Sequence, residues 1–182
     1  NGTQEGTKTS TDAVLVIDRS ASMEDDRINS AQEAAKQFAE VVLGSGANKE
    51  NRIAVVSYAK KATTDTGLSS NLETVKDAIN FNANGGTNIQ AGIKAARDIL
   101  QSSSAEQKVT LVLSDGAPTY SFRAVGTATQ TDFYDRWDLL AFKYRHIGTI
   151  NPDSVNITGF DYGYTVGNGK KYTNTGEAEL RV

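Results

Sequence analysis

The chain has 182 residues, with 38% hydrophobic and 23% charged side chains, a formal net charge of −3 and no cysteine. That length and apolar content supply one globular core, the mixed charge leaves no basic tract for a nucleic-acid backbone, and the missing thiols exclude disulfides, thiolate metal sites and cysteine nucleophiles. No apolar run reaches the about 20 residues needed to cross a bilayer, and no charged-then-apolar signal segment opens the sequence, so direct membrane insertion is not expected.

Residues 1–11, rich in Gly, Thr and Ser, read as a lead-in linker. Ala13-Val14-Leu15-Val16-Ile17 predicts a strand buried on both faces, because an uninterrupted β-branched and aliphatic run has no solvent side. The oxygens of Asp18, Ser20 and Ser22 emerge directly at its carboxyl end, where open α/β sheets bind ligands. Ile28, Ala31, Ala35, Phe38 and Val42 recur at helical spacing and predict an amphipathic helix over about Arg27 to Leu43, stopped by Gly44 and Gly46. Ile53 to Tyr58 predicts a second strand, followed by a polar connection and a short helix marked by Leu72, Val75 and Ile79. After a loop over Asn82 to Asn88, Ile89, Ile93, Ala96 and Leu100 predict another helix, and Val109 to Leu113 a third buried strand.

Strands alternating with helices imply parallel pairing through right-handed crossovers. The expected fold is therefore α/β: a doubly wound, mostly parallel, Rossmann-like sheet flanked by helices, with residues 12–119 as its core. The pattern changes after Tyr120. Phe133, Trp137, Leu140, Ala141 and Tyr144 fit one more helix, with Trp137, Phe133 and Leu140 as its core face; Val155, Ile157, Phe160, Tyr162, Tyr164 and Val166 alternate as in short strands bent at Gly159 and Gly163. Residues 120–182 thus form an atypical region, either an inserted arm or an incomplete remainder of the domain.

Three loops can converge on one rim of this sheet: Asp18-Arg19-Ser20-Ala21-Ser22, Gly85-Gly86-Thr87-Asn88 and Ser114-Asp115-Gly116. Taken singly, Asp18, Ser22 or the Thr87-Asn88 pair could simply cap the helices that follow. As an ordered set, D-x-S-x-S after a first strand, then G-T-N, then S-D-G resembles the von Willebrand factor type A domain family over about Asp12 to Thr119. The resemblance implies a metal-ion-dependent adhesion site in which Ser20, Ser22 and Thr87 are direct ligands, while Asp18 and Asp115 bind directly or hold metal-bound water. The fifth and sixth strands and the last helix of that fold have no counterpart after Thr119.

The donor types agree with the implied site. Hydroxyl and carboxylate oxygens without His or Cys suit Mg²⁺, with Mn²⁺ as an alternative; Ca²⁺ usually takes more carboxylates and carbonyls, and zinc is disfavoured. So few carboxylates leave the cation incompletely neutralised, and a Glu or Asp of a protein partner can complete it. An enzyme is not expected: no His neighbours the cluster, the residue two after Asp18 is Ser20, no G-x-S-x-G elbow or phosphate loop is present, and the lone His146 sits apart. The Thr-, Asn- and Gly-rich style is similar to cell-wall and pilus-tip adhesins of Gram-positive bacteria, whose A domains carry inserted arms near the metal site. That likeness implies an extracellular, cell-surface module, with signal and anchor outside this chain, and collagen, fibrinogen or fibronectin as the partner class. An intracellular A-type assembly domain and a metal-assisted hydrolase are the alternatives.

Overall fold

The computed structural model describes residues 9–116, 118–127, 130–138, 143–150 and 156–167. The chain divides into two compact units, residues 1–118 and residues 119–182. In the first, β1 (Thr11–Asp18), a 3-10 turn (Ala21–Met23), α1 (Asp26–Leu43), β2 (Arg52–Tyr58), β3 (Ala62–Ser69), α2 (Leu72–Ala78), α3 (Ile89–Gln101) and β4 (Gln107–Leu113) follow in order. The strands form one sheet in the order β3-β2-β1-β4, with β1 parallel to both neighbours and β3 antiparallel to β2.

β1 and β2 lie at the centre because they can be buried on both faces. Ala13, Leu15 and Ile17 of β1 pack with Ile53 and Val55 of β2 against Ala35 and Ala39 of α1 and Val75 and Ile79 around α2. The alternate residues Val14, Val16, Ala54, Val56 and Tyr58 pack on the other face against Ala96 of α3, with Ile89, Ile99 and Leu100 around it. Helices therefore cover both faces, as in a doubly wound sheet. The central register pairs Asp12 with Arg52 at one end and Asp18 with Tyr58 at the other. Both pairs are joined by side chains: Arg52 Nε and Nη2 donate to the Asp12 carboxylate at 2.9 and 2.5 Å, and the Tyr58 hydroxyl donates to Asp18 Oδ2 at 3.1 Å.

Several expectations are corrected. The polar connection after the second strand contains β3; its Thr-rich sequence lacks an apolar run, but Thr suits an extended edge, and the Asp65 carboxylate accepts the Ser57 amide at 2.7 Å across its irregular pairing. β4 is not a buried strand: among the described residues it pairs on one side only, with β1, and Val109 and Val112 are exposed.

In the second unit, β5 (Tyr120–Thr127) pairs antiparallel with β8 (Asn156–Gly167), and β6 (Gln130–Asp138) with β7 (Lys143–Ile150). The helix expected over Phe133 to Tyr144 is therefore wrong. Helical spacing of a few apolar residues coincided with a segment rich in strand formers, including Thr131, Phe133, Tyr134, Trp137, Tyr144, Ile147, Thr149 and Ile150; Leu140, Ala141 and Val155 lie outside the described residues. The short strands expected after Pro152 are one strand, β8, whose pairing slips opposite Arg123 and Gly126, close to Gly159 and Gly163. Within this ribbon Phe122 meets Tyr162 edge to face at 5.1 Å, and the Arg123 guanidinium sits 4.5 Å from the Tyr164 ring centre while pairing with Asp161. Tyr162 and Tyr164 remain exposed.

Candidate functional site

The site residues follow from where the strands stop. The paired ends of β1 and β2 put Asp18 beside Tyr58, and Ser114 and Asp115 follow directly on β4, which pairs with β1 up to Ile17 and Leu113. The loop over residues 82–88 is tied to the first one by two backbone bonds, Asn84 N–H to Arg19 O at 2.7 Å and Ala21 N–H to Gly85 O at 2.9 Å. Gly85 has a φ of +85°, a conformation that a side chain would strain.

Asp18 is fully buried and all its bonding is internal: Oδ1 accepts the Ser20 amide at 2.8 Å, and Oδ2 accepts the hydroxyls of Ser114 at 2.8 Å and Tyr58 at 3.1 Å. Ser22 Oγ donates to Asp115 Oδ1 at 2.9 Å and lies 3.0 Å from Ser20 Oγ. A hydroxyl has one hydrogen; since that of Ser22 goes to Asp115, that of Ser20 goes to Ser22, leaving lone pairs of Ser20 uncommitted in this chain. The structure thus brings Ser20, Ser22 and Asp115 into one hydrogen-bonded row and ties Asp18 to it through the Ser20 amide. Thr87 is buried in the adjoining loop, which Asn84 and Gly85 tie to the first one.

The capping alternatives divide. Asn88 does cap α3, its Oδ1 accepting the Ala91 amide at 3.0 Å. Asp18 and Ser22 do not cap α1, whose N-terminal flank is Asp25 with no side-chain cap bond. Asp25 has φ 64° and ψ −131°, a backbone region costly for any residue with a side chain. Asp25→Gly is expected to raise the unfolding free energy by about 1 kcal/mol, measured as a higher urea midpoint with an unchanged slope. A lower midpoint would mean that the Asp25 side chain contributes more than the strain costs.

Tyr58 and Ser114 are the members that sequence reasoning did not assign to the site. Burial, and the negative charges of Asp18 and Asp115, push the Tyr58 hydroxyl above its ordinary pKa, so it remains a proton donor. Its ring is fixed from above: a Cβ on Gly92 of α3 would stand 2.7 Å from Tyr58 Cδ1, so glycine at this position lets the helix rest directly on the tyrosine. The signal available in the sequence was the equal spacing of Asp12 to Asp18 and Arg52 to Tyr58, which aligns the ends of the two strands.

The donor set is chemically suited to a hard divalent cation. It offers hydroxyls from Ser20, Ser22 and Thr87 with carboxylates from Asp18 and Asp115, and no nitrogen or sulfur. Among the described residues no three Asp, Glu, His or Cys side chains come together, so a cation here would rest on hydroxyls and water more than on protein charge. No described helix is long and apolar enough to cross a membrane.

The comparisons with known proteins converge on the same segment. A model of the von Willebrand factor type A domain matches residues 13–117, which include all three loops. The chain is 32% identical over 127 residues, 67% of its length, to the minor fimbrium subunit Mfa5 of Porphyromonas gingivalis, of which it spans 10%. It is similar to the crystal structure of the vWF domain of the type V pili tip protein Mfa5, with a TM-score of 0.64 and 29% identity, covering 72% of this chain and 46% of that one. The pilus adhesin SpaC of Lactobacillus rhamnosus GG shares the fold, with a TM-score of 0.67 at 18% identity, covering 92% of this chain and 20% of that one. A two-faced sheet with polar loops gathered at the ends of β1 and β4, and a family match over more than half the sequence, lead to one conclusion: the chain belongs to the von Willebrand factor type A domain family.

Proposed function

We propose that this domain is a metal-dependent adhesion module of a bacterial surface or pilus protein, which captures an acidic residue of a protein partner through a Mg²⁺ or Mn²⁺ ion. The observation that carries this reading is the row Ser20, Ser22 and Asp115 at the strand ends, in which the Ser22 hydroxyl lies 3.0 Å from that of Ser20 and 2.9 Å from the Asp115 carboxylate of another loop. Ser20, Ser22 and Thr87 supply neutral oxygens, and Asp115 supplies charge. Asp18, with three donors already on its carboxylate, is better placed to orient bound water than to ligate directly. A divalent ion held by so little protein charge stays electrophilic, which favours an incoming Glu or Asp.

The likeness to a pilus-tip protein supports adhesion at the cell surface; collagen, fibrinogen or fibronectin is the partner class we propose for it. A hydrolytic role would need a nucleophile and a general base near the row; the carboxylates here are engaged by hydroxyl and amide donors, and no imidazole neighbours them in sequence.

The test is thermal unfolding titrated with Mg²⁺, Mn²⁺ and Ca²⁺ for wild type, Asp18→Ala, Thr87→Ala and Asp115→Ala. A ligand of the folded state stabilises it by about 2.7 kcal/mol at a hundred times its Kd, so the wild type should shift upward with Mg²⁺ or Mn²⁺ and the variants should lose the shift. No cation-dependent shift in the wild type, or a shift kept by all three variants, would sink the assignment. Chelator should likewise abolish binding to immobilised matrix proteins.

A further inference from the structure

Arg27 lies in the first turn of α1, outside all three loops, and yet its Nη1 donates to Asp115 Oδ2 at 3.2 Å. The other oxygen of Asp115 receives the Ser22 hydroxyl, so Ser20, Ser22, Asp115 and Arg27 form one continuous polar chain. Its two charged members differ in freedom. The Arg27 side chain is 64% exposed, whereas that of Asp115 is 13% exposed. Asp115 is therefore held in place, and Arg27 can swing out into water.

We propose that Arg27 competes with the divalent cation for Asp115 and thereby sets the cation affinity of the domain, an inference that rests on the cation-binding reading above. A guanidinium is charged at every physiological pH, so it cannot yield by losing a proton. A divalent ion drawing on Asp115 meets a like charge within a few ångströms, and the repulsion is relieved only if Arg27 moves away. An exposed ion pair is weak, so Arg27 tunes binding without blocking it. The turn that delivers Arg27 is the one strained at Asp25, two residues earlier, so the guanidinium reaches Asp115 from a backbone conformation that carries a cost.

Isothermal titration of Mn²⁺ and Mg²⁺ into wild type, Arg27→Ala, Arg27→Gln and Arg27→Lys tests this, with circular dichroism reporting the fold of each. Arg27→Ala and Arg27→Gln are expected to bind about threefold to tenfold more tightly than wild type, Arg27→Lys to stay near wild type, and the gap to narrow as salt rises from about 0.05 to about 0.5 M. Unchanged or weaker binding in the two neutral variants overturns the proposal, because Arg27 would then be indifferent or would position Asp115 for the cation. If one neutral variant fails to fold, the other carries the comparison. A wild type that binds neither ion overturns the cation reading itself, and the inference with it.

Discussion

Arg52→Leu is expected to lower the unfolding free energy by about 3 kcal/mol at pH 7. Asp12 is completely buried, and its carboxylate is held by the Arg52 guanidinium and by Ser103 Oγ at 2.6 Å. Removing the arginine leaves a buried carboxylate with a hydroxyl as its main partner; the loss sits at the low end for a broken buried pair because Arg52 itself is 41% exposed and its own desolvation is small. The pH dependence has a definite sign. Burial alone would raise the Asp12 pKa, but the hydrogen bonds from Arg52 and Ser103 and the charge of Arg52 outweigh it and hold it below the ordinary value of 3.8. A group depressed on folding stabilises above its unfolded pKa and loses that contribution as pH falls through the folded one. In the wild type this contribution is therefore intact at pH 7, begins to decline below about pH 4 and is lost as the pH falls through the lowered folded value. In Arg52→Leu the unpaired carboxylate is relieved by protonation, so the difference between the two proteins should shrink as the pH falls. Urea unfolding at pH 7, 5 and 3.5 checks it; a difference that grows toward acid would refute this account of Asp12.

Tyr58→Phe is expected to weaken Mg²⁺ binding by about tenfold to a hundredfold, the usual effect of losing a group that orients a metal ligand. Only one oxygen is removed from a fully buried ring, so the packing against Gly92 and Val16 persists and the sheet should fold. What changes is Asp18, which loses one of the two hydroxyls on Oδ2. Calorimetric titration with Mg²⁺ gives the affinity, and circular dichroism the integrity of the fold. If Tyr58→Phe binds like wild type, Ser114 alone is sufficient to orient the carboxylate. Ser114→Ala and the double variant would then show whether the two hydroxyls act as a unit.

Much of the core was legible because burial on both faces leaves an uninterrupted mark, as in Val14 to Ile17 and Ile53 to Val56, and because α1 and α3 show their apolar residues at helical spacing. The three loops were legible because oxygen-rich motifs punctuate those runs. β3 escaped because an edge strand need not be apolar, and Thr63, Thr64 and Thr66 carry its extended tendency without hydrophobicity. β4 misled in the opposite direction: Val109 to Leu113 has the composition of a buried strand and yet lies at the margin of the described sheet. The strands β6 and β7 were hidden by an accidental helical period among aromatic residues. In the site, motif residues could be named in advance, whereas Tyr58 and Arg27 act through side chains that reach in from β2 and α1. Their part depends on pairing and distance, which no local motif records.

The polar pairs at the two ends of β1 and β2 have a consequence for how the sheet assembles. Between them both strands are almost wholly aliphatic, and sliding one past the other by two residues would return every side chain to its own face. Hydrophobic burial alone would barely distinguish those alignments. A slip of two, however, would part Asp12 from Arg52 and Asp18 from Tyr58 at once, taking from each buried carboxylate the donors that β2 supplies. The aliphatic stretch drives the strands together without choosing an alignment, and the two bracketing pairs choose it. Asp18 thus helps select the single alignment of β1 and β2 in which the Tyr58 hydroxyl stands at its own carboxylate.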